Sequence, residues 1–327
     1  MYCAIFLGQV ICKKYPFIIK KYPHTAFINV YFGVLFSQDK MIKKIFNIQG
    51  FVDYARFSPV KNENLHIVNF ENEKDILRKS QKVNIDFYLL AIKPPLEKNR
   101  IIDRKFEDQA NSFLYVDSPQ NTMAWDVNEP NSGYAIMVDA KLIHRVAKAY
   151  NFVYYNNHEA LYLIKEEEVL LWDLFKKTYD EFQKPHYSKD VIVSYITLIL
   201  SYTQIYYDRQ FDTRSAVYHQ VVEDFYKNLN EYYSREDGVS GMPSVAYFAQ
   251  KANLSPNYFG DLVKHFTGES PIEHIQDFVL KLAKDKLKNT SLSISEISYS
   301  LGFDYPNYFA RFFRKKTGMS PKVFKNM

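Results

Sequence analysis

Two cysteines in 327 residues, Cys3 and Cys12, are too few and too far apart for a disulfide framework or a thiolate metal site, which suits a reducing cytoplasm. Histidine is scattered. His24, His66, His144, His158, His186, His219, His265 and His274 include no His-x-His pair, and a lone histidine is more often a core or surface residue than a ligand. No metal site is expected. No glycine-rich phosphate loop and no nucleophile elbow appears, so no cofactor and no catalytic residue is expected either. The uncharged stretch Val191–Tyr207 carries Ser194, Thr197, Ser201, Thr203 and Gln204, and it falls short of the ~20 apolar residues of a membrane span. At the N-terminus apolar Met1–Val10 precedes Lys13 and Lys14, the reverse of a signal peptide's order. Residues 1–40 therefore read as a loosely attached extension or a misassigned start.

What the chain does have is a passage written twice. Residues 256–271 read PNYFGDLVKHFTGESP and residues 306–321 read PNYFARFFRKKTGMSP, with eight of sixteen positions identical. A duplicated unit shows what the unit is. In the first copy Ser255 is placed to N-cap a helix that opens on Pro256, where a missing N–H costs nothing. Phe259, Leu262, Val263 and Phe266 fall on one helical face, and Gly268 and Pro271 end the helix. The second copy repeats this with Phe309, Phe312, Phe313, Gly318 and Pro321. Away from the apolar stripe lie Asn257, Gly260, Asp261 and Lys264, matched by Asn307, Ala310, Arg311 and Arg314. That face is expected to be outward and open to a partner.

A short helix precedes each copy. Val245, Phe248, Ala249 and Ala252 mark the first; Ile294, Ile297 and Leu301, opened by a Ser293–Glu296 capping box, mark the second. Two short helices, a tight turn and a polar outer face form the helix-turn-helix plan, at 244–267 and 293–317. Between them Ile272, Ile275, Phe278, Val279, Leu282, Ala283 and Leu287 stripe a linking helix over about 271–288, roughly 27 Å long at ~1.5 Å per residue.

The second unit, SISEISYSLGF at 293–303 followed by NYFARFFRKKTGMSP at 307–321, resembles the AraC/XylS family of bacterial transcription regulators. The resemblance covers residues 215–327 and implies double-stranded DNA as the partner, with RNA polymerase as a second one for an activator. It maps base reading onto Asn257, Gly260 and Asp261 in the first unit and Asn307, Ala310 and Arg311 in the second. Ser255, Lys264, Arg314, Lys315 and Lys316 are the expected phosphate contacts. Arg311 suits a guanine and Asn307 an adenine. Gly260 offers no side chain and Asp261 only accepts, a departure from Arg-rich or Gln-rich versions. Val279 also stands where the family often has an Arg. Residues 278–327 hold ten Lys/Arg against three Asp/Glu, whereas 215–277 hold four against nine. The second unit is therefore expected to carry most of the affinity.

Upstream, Ile45–Arg56, Leu65–Phe70, Phe87–Ile92, Ser112–Val116 and Tyr134–Val138 read as short strands of a small antiparallel barrel or sandwich. The resemblance implies a cupin-like sensor barrel over 41–165, with a small-molecule effector. Phe87, Tyr88, Trp125 and Tyr134 are candidate lining residues, though each taken singly reads first as an ordinary core aromatic. Residues 166–208 read as two helices, a dimerisation segment or an intrachain seam, and the polar 209–214 as a linker to the domain at 215–327. The fold class expected is α+β: a cupin-like β-barrel with two following helices, then an all-α domain of two helix-turn-helix units joined by a helix. The function expected is sequence-specific transcription regulation as a cytoplasmic homodimer, with no membrane partner. A cupin-type enzyme fused to a DNA-binding domain and a protein-interaction module are the alternatives.

Overall fold

The computed structural model describes residues 45–95, 111–119, 121–126, 132–235 and 239–327. The expected extension at 1–40 and both cysteines lie outside them. Strands β1 (Ile45–Phe46), β2 (Leu65–Asn69), β3 (Val83–Ile85), β4 (Phe87–Lys93), β5 (Phe113–Asp117), β6 (Thr122–Met123), β7 (Tyr134–Asp139) and β8 (Leu161–Tyr162) make two sheets. An antiparallel five-stranded sheet has the order β2-β7-β4-β5-β8, and a small one the order β1-β3-β6. The closed barrel expected over 41–165 is not what these strands form: β2 and β8 are the two ends of an open sheet.

The reason lies in what covers the faces. Strand side chains alternate, so Tyr88, Leu90 and Ile92 of β4 enter one core while Phe87, Leu89 and Ala91 enter another. Helix α1 (Ile48–Ala55) buries Ile48, Phe51, Val52 and Ala55 in the second of these cores. Helices α3 (Lys165–Gln183) and α4 (Lys189–Thr213) contribute Leu171, Phe175, Ile192 and Ile196 to the first. With a helical cover on each side, β4 and β7 are nearly continuous apolar runs. Helix α1 also corrects the strand expected at Ile45–Arg56. Asn47 caps it by accepting from the Gly50 N–H at 2.8 Å, and Arg56 at φ 60° ends it.

Helix α2 (Ala140–Ala147) follows β7, and two 3-10 turns at Asn151–Tyr154 and Asn157–Glu159 lead into β8. The polar stretch 209–214, expected as a linker, is mostly the last turn of α4. Asp212 and Thr213 face solvent, but Arg209 and Gln210 serve the interior. Gln210 is fully buried, accepting from the Tyr162 N–H at 2.8 Å and donating to the Ala160 carbonyl at 3.2 Å. Arg209 pairs with Glu167 and donates to the Tyr162 carbonyl at 2.8 Å. Both satisfy the edge strand β8.

The rest is helical: α5 (Ser215–Tyr233), α6 (Val245–Lys251), α7 (Pro256–Thr267), α8 (Pro271–Asn289), α9 (Ile294–Ser300), α10 (Pro306–Thr317) and α11 (Pro321–Lys325). One apolar core runs from the sheet through α3 and α4 to Phe309 and Phe313. No helix among the described residues is long and apolar enough to cross a membrane.

Candidate nucleic-acid interface

Each unit is fixed by its caps. Ser244 starts α6, accepting from the Tyr247 N–H, and Ser255 starts α7, accepting from the Tyr258 N–H at 3.2 Å. Between them Asn253 takes the left-handed conformation at φ 56°. In the second unit Ser293 and Glu296 form the capping box of α9, and Gly302 makes the turn at φ 84°. Gly268 and Gly318 end α7 and α10 at φ 81° and 80°, each returning its N–H to the carbonyl of Lys264 or Arg314 at 2.8 Å. The duplicated sequence thus yields duplicated geometry, with one difference. The second turn is one residue longer, and α10 begins after Tyr305, which makes no side-chain cap.

Helix α7 buries Phe259, Leu262 and Val263 against Phe248, Ala249 and Phe225; α10 buries Phe309 and Phe313. Each such side chain, fully removed from water, contributes roughly 1.5–3 kcal/mol to holding its helix in place. On the outer faces Asn257, Lys264, Asn307, Arg311, Arg314, Lys315 and Lys316 are exposed, with Gly260 and Ala310 partly so. The Arg311 guanidinium lies 5.0 Å from the ring of Tyr308, which itself is half exposed and meets Tyr305 edge-on at 5.5 Å. Lys316 is engaged: its Nζ donates to Asp277 of α8 at 2.8 Å.

Residues 248–327 match the family model described as a helix-turn-helix domain. Over 83 residues the chain is 32% identical to the uncharacterized HTH-type transcriptional regulator YobQ of Bacillus subtilis, covering 25% of this chain and 34% of that protein. Over 81 residues it is 35% identical to the arabinose operon regulatory protein of Escherichia coli, covering 25% and 28%. Residues 248–327 are a helix-turn-helix domain of AraC type. A 114-residue match at 30% identity to histidine kinase P4 of Formosa agariphila covers 35% of this chain and 8% of that protein. The chain thus spans well under half the length of these relatives. Among solved structures, the C-terminal domain of AraT, a response regulator from Geobacillus stearothermophilus, is 26% identical over 32% of this chain and 84% of that one, with a TM-score of 0.29.

Within the AraC-type domain two further residues assigned to DNA are engaged elsewhere. Ser255 is 5% exposed, and its backbone N–H and Oγ–H each donate to the Glu159 carboxylate at 2.6 Å. Asp261 accepts from Asn151 Nδ2 at 2.8 Å and from the Tyr155 hydroxyl at 2.6 Å. Burial first, and the Asp261 carboxylate second, push the Tyr155 hydroxyl well above the ordinary tyrosine range, so it remains a donor. Tyr258, 1% exposed, meets Tyr155 edge-on at 4.8 Å and shares a 2.5 Å hydrogen bond with Tyr218; His265 pairs with Asp212 at 2.7 Å. Tyr258, Asp261 and His265 are spaced i, i+3 and i+7, one stripe. Their counterparts in α10 are Tyr308, Arg311 and Lys315, all exposed.

Asp261 therefore belongs to a docked flank rather than to a fully open face. The sequence held a signal for this: the two copies diverge most in charge at 261/311, where an acid stands opposite an arginine. Nothing local pointed to Asn151, Tyr155 or Glu159, which lie about a hundred residues upstream.

The four effector-pocket candidates do not share a cavity. Phe87 and Trp125 sit in the core with Phe51, Trp125 donating to the Leu77 carbonyl at 2.6 Å. Tyr88, bonded to His144 at 2.9 Å, and Tyr134, edge-on to Trp172, belong to the opposite face of the sheet. Adjacent residues of a strand cannot line one pocket on one face.

Proposed function

We propose that the protein is a sequence-specific DNA-binding transcription regulator acting in the bacterial cytoplasm. The observation that carries this is the pair of matched units, of which the second presents Asn307, Arg311, Arg314 and Lys315 together and exposed on one helix. Backbone amides and cations at such a helix hold phosphates and fix register, while Arg311 and Asn307 have the donors to read guanine and adenine edges. Stacking on Tyr308 holds the guanidinium in place before DNA arrives. In this reading the second unit is the anchor and the first refines specificity.

The sheet-containing half would sense a small molecule and pair two copies of the chain. Val191, Leu198 and Ile205 of α4, at seven-residue intervals, are 41%, 41% and 58% exposed, with Tyr195 and Tyr202 half-buried between them. An apolar seam of that period on a long helix supports a helix-to-helix homodimer.

Selection of duplexes from a random-sequence pool by the purified full chain tests the main reading. Enrichment of one motif, bound with an affinity that falls steeply with salt, is expected. Recovery of no motif would overturn it.

A further inference from the structure

We propose that the segment Asn151–Glu159 masks the first DNA-reading helix, with the Glu159 carboxylate standing in for a DNA phosphate. The inference rests on the DNA-binding reading above and goes on to say how binding is withheld.

Helix N-termini bind anions because their first N–H groups lack partners and the helix dipole favours negative charge. At the start of α7 that anion is already supplied by the protein. Glu159, 3% exposed, accepts both the N–H and the hydroxyl of Ser255, the residue assigned to a phosphate. It also accepts the Asn156 N–H at 2.6 Å, which fixes the carboxylate within its own turn. A phosphate and a carboxylate cannot occupy one cradle, since two anions there would repel and share too few donors.

A second contact reinforces the first. Asn151 and Tyr155 of the same segment hold Asp261, six residues further along α7. Four hydrogen bonds therefore run from this segment to the side of α7 that flanks Asn257 and Lys264. Helix α10 carries none of this: Tyr305 replaces Ser255 at its start, Arg311 replaces Asp261, and both are exposed. Along this flank one recognition helix is open and the other is covered.

The mask is built into the sheet half. Phe152, Val153, Tyr155 and Ala160 are buried in the shared core, and the segment runs directly into β8, the edge of the five-stranded sheet. Anything that displaces β8 or this segment releases Ser255 and Asp261 together. By linkage, DNA held by both units favours the released arrangement to the same extent. While the mask is closed, apparent affinity for a two-unit site is reduced by the fraction of molecules that are open.

The test uses the full chain and a duplex selected by that chain from a random-sequence pool. Two variants are compared with the parent: Glu159→Gln, which removes the charge but keeps the shape, and the pair Asn151→Ala with Tyr155→Phe, which frees Asp261 and leaves Glu159's own turn intact. Affinity at fixed salt and the length of DNA protected are both read, with thermal unfolding as the check on folding. The expected result is about tenfold tighter binding in each variant, the scale of losing hydrogen bonds to a charged group. Protection should lengthen by about ten base pairs, one further turn of the groove. Unchanged or weaker binding with unchanged protection, in variants that melt like the parent, would overturn the mask and leave the DNA reading standing. If neither parent nor variants enrich any duplex, both fall.

Discussion

Arg311 and Asp261 occupy the same place in two copies of one helix and have opposite surroundings. Arg311 is exposed over Tyr308, and Asp261 is held by Asn151 and Tyr155. Arg311→Ala should weaken binding to the selected duplex by roughly 1–3 kcal/mol and relax discrimination at one base. Asp261→Ala should tighten it, because it removes both an acid beside the phosphates and a point of attachment for the mask. A competition assay at one salt concentration measures both; a larger loss at Asp261 would contradict this assignment. His66 offers a test of stability. It is 3% exposed, neither ring nitrogen has a hydrogen-bond partner among the described residues, and Phe182 stands edge-on at 6.0 Å. Burial, aided by Lys61, lowers its pKa from 6.5 to about 4. The folded state therefore keeps the ring neutral while the unfolded chain takes up a proton below pH 6.5. Stability is lost as pH falls from 6.5 towards 4, by up to roughly 3 kcal/mol over that window. Replacing His66 by Leu should flatten denaturant-midpoint values across that range, and an unaltered pH slope would count against this origin.

At the scale of elements, the turn of the second unit leaves no room for a side chain. A Cβ on Gly302 would lie 2.4 Å from the carbonyl carbon of Gly241, in a conformation, φ 84°, that side chains rarely adopt. Gly302→Ala should destabilise by at least about 1–3 kcal/mol. Gly260, in the body of α7, has nothing within 4 Å of the same added atom, so Gly260→Ala should stabilise by about 0.5–1 kcal/mol. Calorimetry of the two variants should move the melting temperature in opposite directions. These helices were legible in the sequence because their signals are local: Ser255, Pro256 and Gly268 each act within one turn. The helix at Ile48–Ala55 was not, since Phe51, Val52 and Ala55 also pass for a strand's apolar run. Only the Asn47 cap and the left-handed Arg56 distinguish the two, and neither is a strong signal alone.

For the whole molecule, the stripe Val191, Leu198 and Ile205 leads to a prediction about assembly. Leu198→Glu, placing a charge mid-seam, should shift the purified chain from dimer to monomer in sedimentation while leaving its helical content intact; a dimer that persists would locate the interface elsewhere. What the sequence determined by itself was what neighbours along the chain govern: the helix starts and stops of the duplicated unit, the charge of α10, and the strands β2, β4, β5 and β7. What only the tertiary structure decided was which surfaces remain available. Alternation in β4 sends Phe87 and Tyr88 into separate cores, Arg209 and Gln210 serve an edge strand, and Glu159 reaches across 96 residues to cap α7. Such contacts join residues distant in sequence, and a single chain carries no local mark of them.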